Sequence, residues 1–329
     1  MGIPFGLAPA AKRLGLSVSV YASIKGPSPK RRSVYRISDG VKELFTLGAT
    51  LLSTSFIGMK IAVDKVTTNE ILRGADIPTT EQLLIKDLPA LRSFYTKHNG
   101  SIILKPLAST LGKGIFGSLH SIAEAEEAFH TIKRDFSYVV AEKKVFGKEY
   151  RVLVFEKEII AVAEYLPPTL IGNGKDTILR LIKKHNASIV PNSGLYPIPI
   201  KPELSYILAK QDLALDLIPP KGQSVVLYLA APISHGGSAI DATQHIHPEN
   251  KELFVLAAQA IYLNVAGIDV ITEDIGLPLR ATGGVILEIN GGPDLSIHQH
   301  PINRPDFDAA EEVLRLYFGI GKIPSYKKA

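Results

Sequence analysis

The chain contains no cysteine, and that absence removes disulfides, thiolate nucleophiles and zinc–thiolate centres together. No apolar run approaches the roughly 18 residues that a spanning helix needs, and the start carries no basic-then-apolar leader. A cytoplasmic location is expected and a membrane partner is not. The phosphate-loop pattern G-x-x-x-x-G-K-[ST] is missing, as are internal repeats and low-complexity tracts. An excess of one charge sign is lacking: 37 lysines and arginines against 32 acids leave a net +5 spread along 329 residues. The densest basic run, Lys30-Arg31-Arg32, is short and has no interleaved aromatics, so nucleic acid is not an expected partner. A mildly basic protein that handles acidic small molecules accounts for the charge equally well.

What is present is ordinary globular composition, 46% hydrophobic and 21% charged, in a chain longer than a single core comfortably fills. More than one lobe is expected. The organising stretch is 283–293, GGVILEINGGP. It reads as a buried strand that ends in Glu288 and Asn290 and then breaks on Gly-Gly-Pro. Side chains two apart on a strand share a face, so these two point the same way. Upstream, 265–271 (VAGIDVI) reads as a second buried strand with a single acid, Asp269. If the strands pair, three oxygen-bearing side chains converge. Hard oxygen donors with the rest of the shell left to water and phosphate suit Mg²⁺ holding a nucleotide, with Mn²⁺ as an alternative. The other reading is that Glu288 and Asn290 cap an edge strand facing solvent.

Taken in order, the chain opens with a helix at 7–14, strands at 17–21, 34–37 and 51–53, and a loop at 25–32: a small α/β segment. Asp64-Lys65 opens a helix to about residue 72, stopped by Gly74 and Pro78. Lys65 is either a solvated first-turn lysine or, because a cation gains nothing from that end of the helix dipole, the partner of an anion. The strand 101–106 embeds Lys105 among apolar residues, where lysine seldom lies without a partner. A small-residue loop follows, with Ser109, Gly112, Lys113, Gly114 and Gly117, whose backbone amides could surround a phosphate. The glycines spell G-x-G-x-x-G, but a dinucleotide turn requires a helix at the loop itself. Here the capping box Ser121–Glu124 starts the helix later and leaves 115–120 as a strand, so the loop reads as a flap. A strand at 138–143, a hairpin of 149–156 and 159–166, and a helix at 177–185 come next. The proline-rich 191–202 reads as a mobile substrate loop. A helix at 204–217, a strand at 224–230, a small-residue loop at 234–238, and helices at 248–263 and 306–318 complete the expectation.

In this order and spacing, D-K-x-x-T from Asp64, L-K-P from Leu104, E-K-K-V-F-G-K-E-Y-R from Glu142, G-N-G-K-D-T-I from Gly172, S-H-G-G-S from Ser234, H-P-E-N from His247, G-I-D from Gly267 and the Glu288/Asn290 strand resemble the ATP-grasp superfamily. More closely, residues 63–301 resemble the ATP-grasp modules of cyanophycin synthetases and of bifunctional glutathione synthetases. The resemblance implies an α+β ATP-grasp fold: a short α/β segment over 1–62, a small lobe with a glycine-rich flap over 63–140, and a large lobe with a metal site over 141–329. Neither a muramyl-ligase-like module after it nor a γ-glutamylcysteine ligase before it is expected.

The resemblance also implies roles. Lys65 and Lys105 contact ATP phosphates, together with Ser109, Gly112, Lys113 and Gly114 of the flap. The hinge at Glu142, Lys143 and Val145 meets the adenine edge, and Glu149 takes the ribose hydroxyls. Asp269, Glu288 and Asn290 hold the metal, and Arg151 lies near the reacting phosphoryl group. The implied activity is that of an ATP-dependent carboxylate–amine ligase working through an acyl phosphate on amino acids or short peptides, with a homodimer as one admissible assembly. Similar proteins often carry arginine where Tyr165 and Tyr228 stand, and asparagine where Pro232 stands, so a different substrate is expected. Arg280 is the expected catalytic substitute beside Arg151 and Lys105; His235 reads rather as a surface residue. His298 and His300 are expected at the substrate mouth. Phosphorylation of a hydroxyl, thioester formation, or a nucleotide-binding subunit without turnover are the alternatives.

Overall fold

The computed structural model describes residues 6–25, 31–107, 114–117, 119–189, 196–228 and 236–321. Its centre is an antiparallel sheet in the order β12 (Ser238–Asp241), β9 (Glu158–Leu166), β8 (Lys148–Phe155), β13 (Val265–Thr272) and β14 (Val285–Asn290). Strand alternation sorts its residues onto two faces. Val152, Val154, Ile268, Val270 and Ile289 point to one face and bury against α8 (Pro248–Ala260) and α3 (Lys65–Gly74), where Phe254 and Leu72 complete the core. On the opposite face Leu153, Phe155 and Val265 enter a second core with α1 (Leu7–Arg13) and α10 (Ala309–Phe318). That second core stops partway along the strands. Beyond it the same face carries Glu149, Arg151, Asp269, Glu288 and Asn290.

The opening segment is a four-stranded antiparallel meander, β1 (Ser17–Lys25), β2 (Arg31–Ser38), β3 (Glu43–Leu47) and β4 (Thr50–Leu51), packed on α1. The expected loop at 25–32 is therefore shorter, because β1 and β2 pair as far as Lys25 and Arg31. A separate three-stranded sheet, β5 (Gln82–Ile85), β7 (Val139–Lys143) and β6 (Ile102–Pro106), carries α4 (Leu88–Lys97) and α5 (Ile122–Asp135) on one face with its own core of Leu91, Phe94, Leu104, Phe129 and Ile132. A further small core forms where α6 (Ile178–Ser188) and α7 (Pro202–Ala209) pack on the two-stranded β10 (Thr169–Ile171) and β11 (Ser224–Val226). Among the described residues no helix is long and apolar enough to cross a membrane.

Several expectations need correction. The strand expected at 115–120 is a single bridge: Phe116 exchanges both backbone hydrogen bonds with Leu104, next to Gly114 at φ +77°. A Cβ on Gly114 would lie 2.9 Å from Pro106, so only glycine turns there without a clash. The helix expected over 204–217 is α7, which ends at Ala209, where Asp212 takes a left-handed φ of 56° and Leu213 N–H closes on Leu208. The helix at 248–263 stops at Ala260, before Tyr262 at φ 57°. That at 306–318 starts only at Ala309, where Asp308 accepts from the amides of Ala310 and Glu311. Of the strand at 224–230, residues 224–226 are β11. The helices α2 (Phe56–Val63) and α4, the short helix Leu279–Thr282 and the strands β3, β5, β10 and β12 were not expected at all.

Candidate active site

Register brings the site together. Within the central sheet Asp269 on β13 pairs with Arg151 on β8 on one side and with Glu288 on β14 on the other. Gly267, two residues back, pairs with Asn290. Arg151, Asp269 and Glu288 thus form a row across three strands with Asn290 beside it. Arg151 Nε lies 2.5 Å from Asp269 Oδ1. Asn290 Nδ2 donates to Glu288 Oε1 at 3.2 Å and to Asp269 Oδ2 at 3.4 Å, tying the two carboxylates together. Lys65 comes from across the row. Its helix α3 is fixed by the Asp64 side chain, which accepts from the amides of Val66 and Thr67, and its ammonium sits 2.5 Å from Glu288 Oε2.

The electrostatics follow from that arrangement. Burial, with the neighbouring Glu288 adding to it, pushes Asp269 up to about 7 against the opposing pull of Arg151. Burial acts the same way on Glu288, but the Lys65 ammonium outweighs it and holds this carboxyl down at about 2. The two acids are thereby driven apart: Lys65 outweighs burial at Glu288, whereas Arg151 does not outweigh it at Asp269. Burial also raises Glu149. Tyr165 lies beside Arg151; burial drives its phenol up to about 12, and it stays a neutral hydrogen-bonding group. His298 is 2% exposed, and burial together with the Arg151 charge depresses it to about 3, so it is neutral.

The second lysine is held in the smaller sheet. Alternation places Leu104 and Ala141 in the core between sheet and helices and turns Lys105 and Glu142 to the other face. Lys105 Nζ donates to Glu142 Oε2 at 2.5 Å, both residues buried, and the half-buried Gln82 donates from Nε2 to the same oxygen at 2.6 Å. At the hinge, the Lys143 amide is bonded to Glu81 and its carbonyl to the Thr80 hydroxyl. An adenine edge would therefore be met further along, at the half-buried Val145.

Not every expected residue joins the cluster. Arg280 is exposed on a short helix, Leu279–Thr282, and bonds the carbonyl and carboxylate of Asp76, so it does not join Arg151 as the expected catalytic substitute. Tyr228 donates its hydroxyl to Pro199 O at 2.7 Å inside the α6/α7 core. His300 lies at φ 50° with its ring on Pro305 O, away from the row. Ser109, Gly112, Lys113, Pro232 and His235 lie outside the described residues. His298 and Tyr165 are the residues whose closeness to Arg151 spacing alone did not reveal: on β9, Tyr165 stands two residues beyond Ala163, the partner of Arg151, and His298 lies in the 3-10 turn that packs on β9.

The donor set fits a hard divalent cation. The carboxylates of Asp269 and Glu288 are held side by side in one row, paired with Arg151 and Lys65, and the Asn290 side chain joins them. Among the described residues no group of three or more His, Cys, Asp or Glu converges, so the remaining shell would fall to phosphate and water.

No family model matches the chain. The cyanophycin synthetase of Trichormus variabilis is 34% identical over 279 residues, 82% of this chain and 31% of that protein. The glutathione biosynthesis bifunctional protein of Clostridium perfringens is 31% identical over 291 residues, 86% of this chain and 37% of that protein. The chain thus spans about a third of the length of the curated relatives it matches. Among solved structures, the bifunctional glutathione synthetase from Pasteurella multocida superposes with a TM-score of 0.66 at 22% identity, over 95% of this chain and 44% of that one. The similarity expected from the sequence is therefore found in the relatives, and the fold is the α+β ATP-grasp fold.

Proposed function

We propose that the protein is an ATP-dependent carboxylate–amine ligase that forms a peptide-type amide between amino acids or short peptides. The observation that carries this reading is the Arg151–Asp269–Glu288 row with Asn290, on the open face of the sheet and met by Lys65 from α3. Both similar synthetases named above support the class of reaction.

In the proposed reaction a substrate carboxylate oxygen attacks the γ-phosphorus, the bond from that phosphorus to the bridging oxygen breaks, and ADP leaves with that electron pair. An amine nitrogen then attacks the acyl carbon, phosphate departs, and the ammonium proton passes to phosphate or solvent. Such transfers are governed by positioning and by neutralising charge on the phosphoryl oxygens. Lys65 and Lys105 supply that neutralisation, each charge-assisted bond contributing on the order of 1.5–3 kcal/mol. Arg151 orients the reacting phosphoryl group, and its planar fork suits that task better than a lysine would. Glu149 meets the ribose, and Asp269, Glu288 and Asn290 hold Mg²⁺ or Mn²⁺, which when bound supplies charge neutralisation at the phosphates. No side-chain nucleophile is required, in keeping with a chain free of cysteine.

The test is incubation with ATP, Mg²⁺ and pools of amino acids and dipeptides. ADP and phosphate should appear with a new amide mass, and hydroxylamine should divert the acyl phosphate to a hydroxamate. A stable phosphorylated product, or nucleotide binding with no ADP release for any acceptor, would refute ligation.

A further inference from the structure

Arg151 is confined as well as paired. Its side chain crosses β13 directly over Gly267. A Cβ placed on Gly267 would lie 2.8 Å from Arg151 Nη1, 3.4 Å from its Cδ, and 2.8 Å from the Cβ of Pro293. Real Cβ atoms do not approach that closely, so the guanidinium lies in a slot only as deep as a missing methyl group. The floor is the bare backbone of β13 at Gly267, and Pro293, in the loop that leaves β14, stands over the same glycine beside the guanidinium. Asp269 closes one end of the slot through Nε, and the Tyr165 hydroxyl bonds the side chain from β9. The loop then runs into the 3-10 turn Leu295–His298, which packs on β9 and β12 and buries the His298 ring with Nε2 unpaired. No second cation is therefore forced against the guanidinium.

From this geometry we infer that Gly267 and Pro293 are positioning residues: they form a slot that fixes where the Arg151 guanidinium points, and so set the rate of phosphoryl transfer without touching the substrate. The inference rests on the ligase reading, which places Arg151 at the reacting phosphoryl group. Gly267 does not need glycine for its backbone, since its φ lies outside the left-handed region. Its lack of a side chain is demanded by Arg151 and Pro293 instead. A displacement of about 1 Å in such a group can lower turnover by roughly 100-fold while leaving ground-state binding in place.

The test compares wild type with Gly267→Ala, Pro293→Gly, Arg151→Lys and the double variant Gly267→Ala/Arg151→Lys. Folding is followed by circular dichroism and nucleotide Kd by calorimetry. Gly267→Ala should lower kcat by about 10- to 100-fold with nucleotide Kd within about 2-fold of wild type. The double variant should be no worse than Arg151→Lys alone, because both changes abolish the same aim. Pro293→Gly, which removes the neighbour over Gly267 without adding an atom, should lower kcat in the same sense and serves if Gly267→Ala does not fold. A kcat within about 3-fold of wild type in the folded variants, or multiplicative losses in the double variant, would overturn the inference. An activity-independent readout separates it from the ligase reading: the Arg151 Nε–H resonance, assigned by its disappearance in Arg151→Lys. This should be slowly exchanging in wild type and shifted or broadened in Gly267→Ala. If that change is seen in a protein without ligase activity, the slot stands and the ligase reading falls; an unchanged resonance removes the slot.

Discussion

Replacing Lys105 with methionine isolates the energetics of the buried ion pair in the smaller sheet. Lys105 and Glu142 are 7% and 3% exposed, and after the substitution the carboxylate keeps Gln82 as its neutral donor at 2.6 Å. Breaking a buried pair from one side leaves an uncompensated charge and typically costs about 3–5 kcal/mol, whereas removing both charges is often near neutral. Lys105→Met should therefore lose about 3–5 kcal/mol in the absence of nucleotide. The double variant Lys105→Met/Glu142→Gln should recover to within about 2 kcal/mol of wild type, because the amide that replaces the carboxylate can still bond Gln82 while no charge remains buried. The assay is urea unfolding followed by far-ultraviolet circular dichroism, since the chain has no tryptophan to report. A loss below about 1 kcal/mol for Lys105→Met would equal that of a surface pair and refute the reasoning. In the same variant, nucleotide affinity should fall sharply if Lys105 also serves the phosphates as proposed.

Three further outcomes are expected at the row and one at a helix start. Asp269 holds its proton up to about pH 7 in the folded state and only to about 4 when unfolded, so its contribution to stability grows as pH falls from about 8 to about 5. The melting temperature of wild type should therefore rise relative to Asp269→Asn over that range, and a constant difference would contradict it. Glu288 works in the opposite sense: its contribution is present above about pH 4.5 and is lost as pH falls towards about 2, so the advantage of wild type over Glu288→Gln should vanish in acid. Titration calorimetry with Mn²⁺ and a non-hydrolysable nucleotide should show at least about 10-fold weaker cation binding for Asp269→Asn and Glu288→Gln, while Lys65→Met should bind the cation alone more tightly than wild type; unchanged affinities would remove the metal assignment. Ser121→Ala should cost about 1 kcal/mol in urea melts, because Ser121 Oγ accepts from Glu124 N–H while the Glu124 carboxylate returns to His120 N–H.

The parts of the fold that were legible in the sequence are those whose signal is local. The runs at 265–271 and 285–290 announce themselves by branched apolar residues broken by single acids, and α5 by its capping box. The helix α2 was not legible because FIGMKIAV is apolar nearly all round and offers no period to read. The strand expected at 115–120 failed for a related reason: alternation without a ladder partner makes only a bridge, and Leu104 supplies just one residue of pairing. At the site, the strand period placed Glu288 and Asn290 on one face, but register decided that Arg151 and Asp269 lie side by side. Arg280 shows the limit most clearly. Nothing in its neighbours reveals that Asp76, 204 residues earlier in the chain, holds it away from the row.

The internal pairing of the row also constrains how ligands enter it. Each lysine already has a carboxylate, Lys65 on Glu288 and Lys105 on Glu142, and Arg151 has Asp269. A divalent cation arriving alone must displace Lys65 from Glu288 and leave an ammonium without a counter-charge in a partly buried place. A triphosphate arriving alone must draw Lys65 away and leave Glu288 beside Asp269 with no cation between them. Each such step exposes a desolvated charge, which is the expensive half of breaking a buried pair. When the two arrive together the exchange balances: the cation takes the carboxylates and the phosphates take the ammonium. Under the proposed assignment of the row to metal and phosphate, the charges of the ligand-free protein would make nucleotide and metal each other's condition for binding, and for this reason a change at Lys65 should move the affinities for the two in opposite directions.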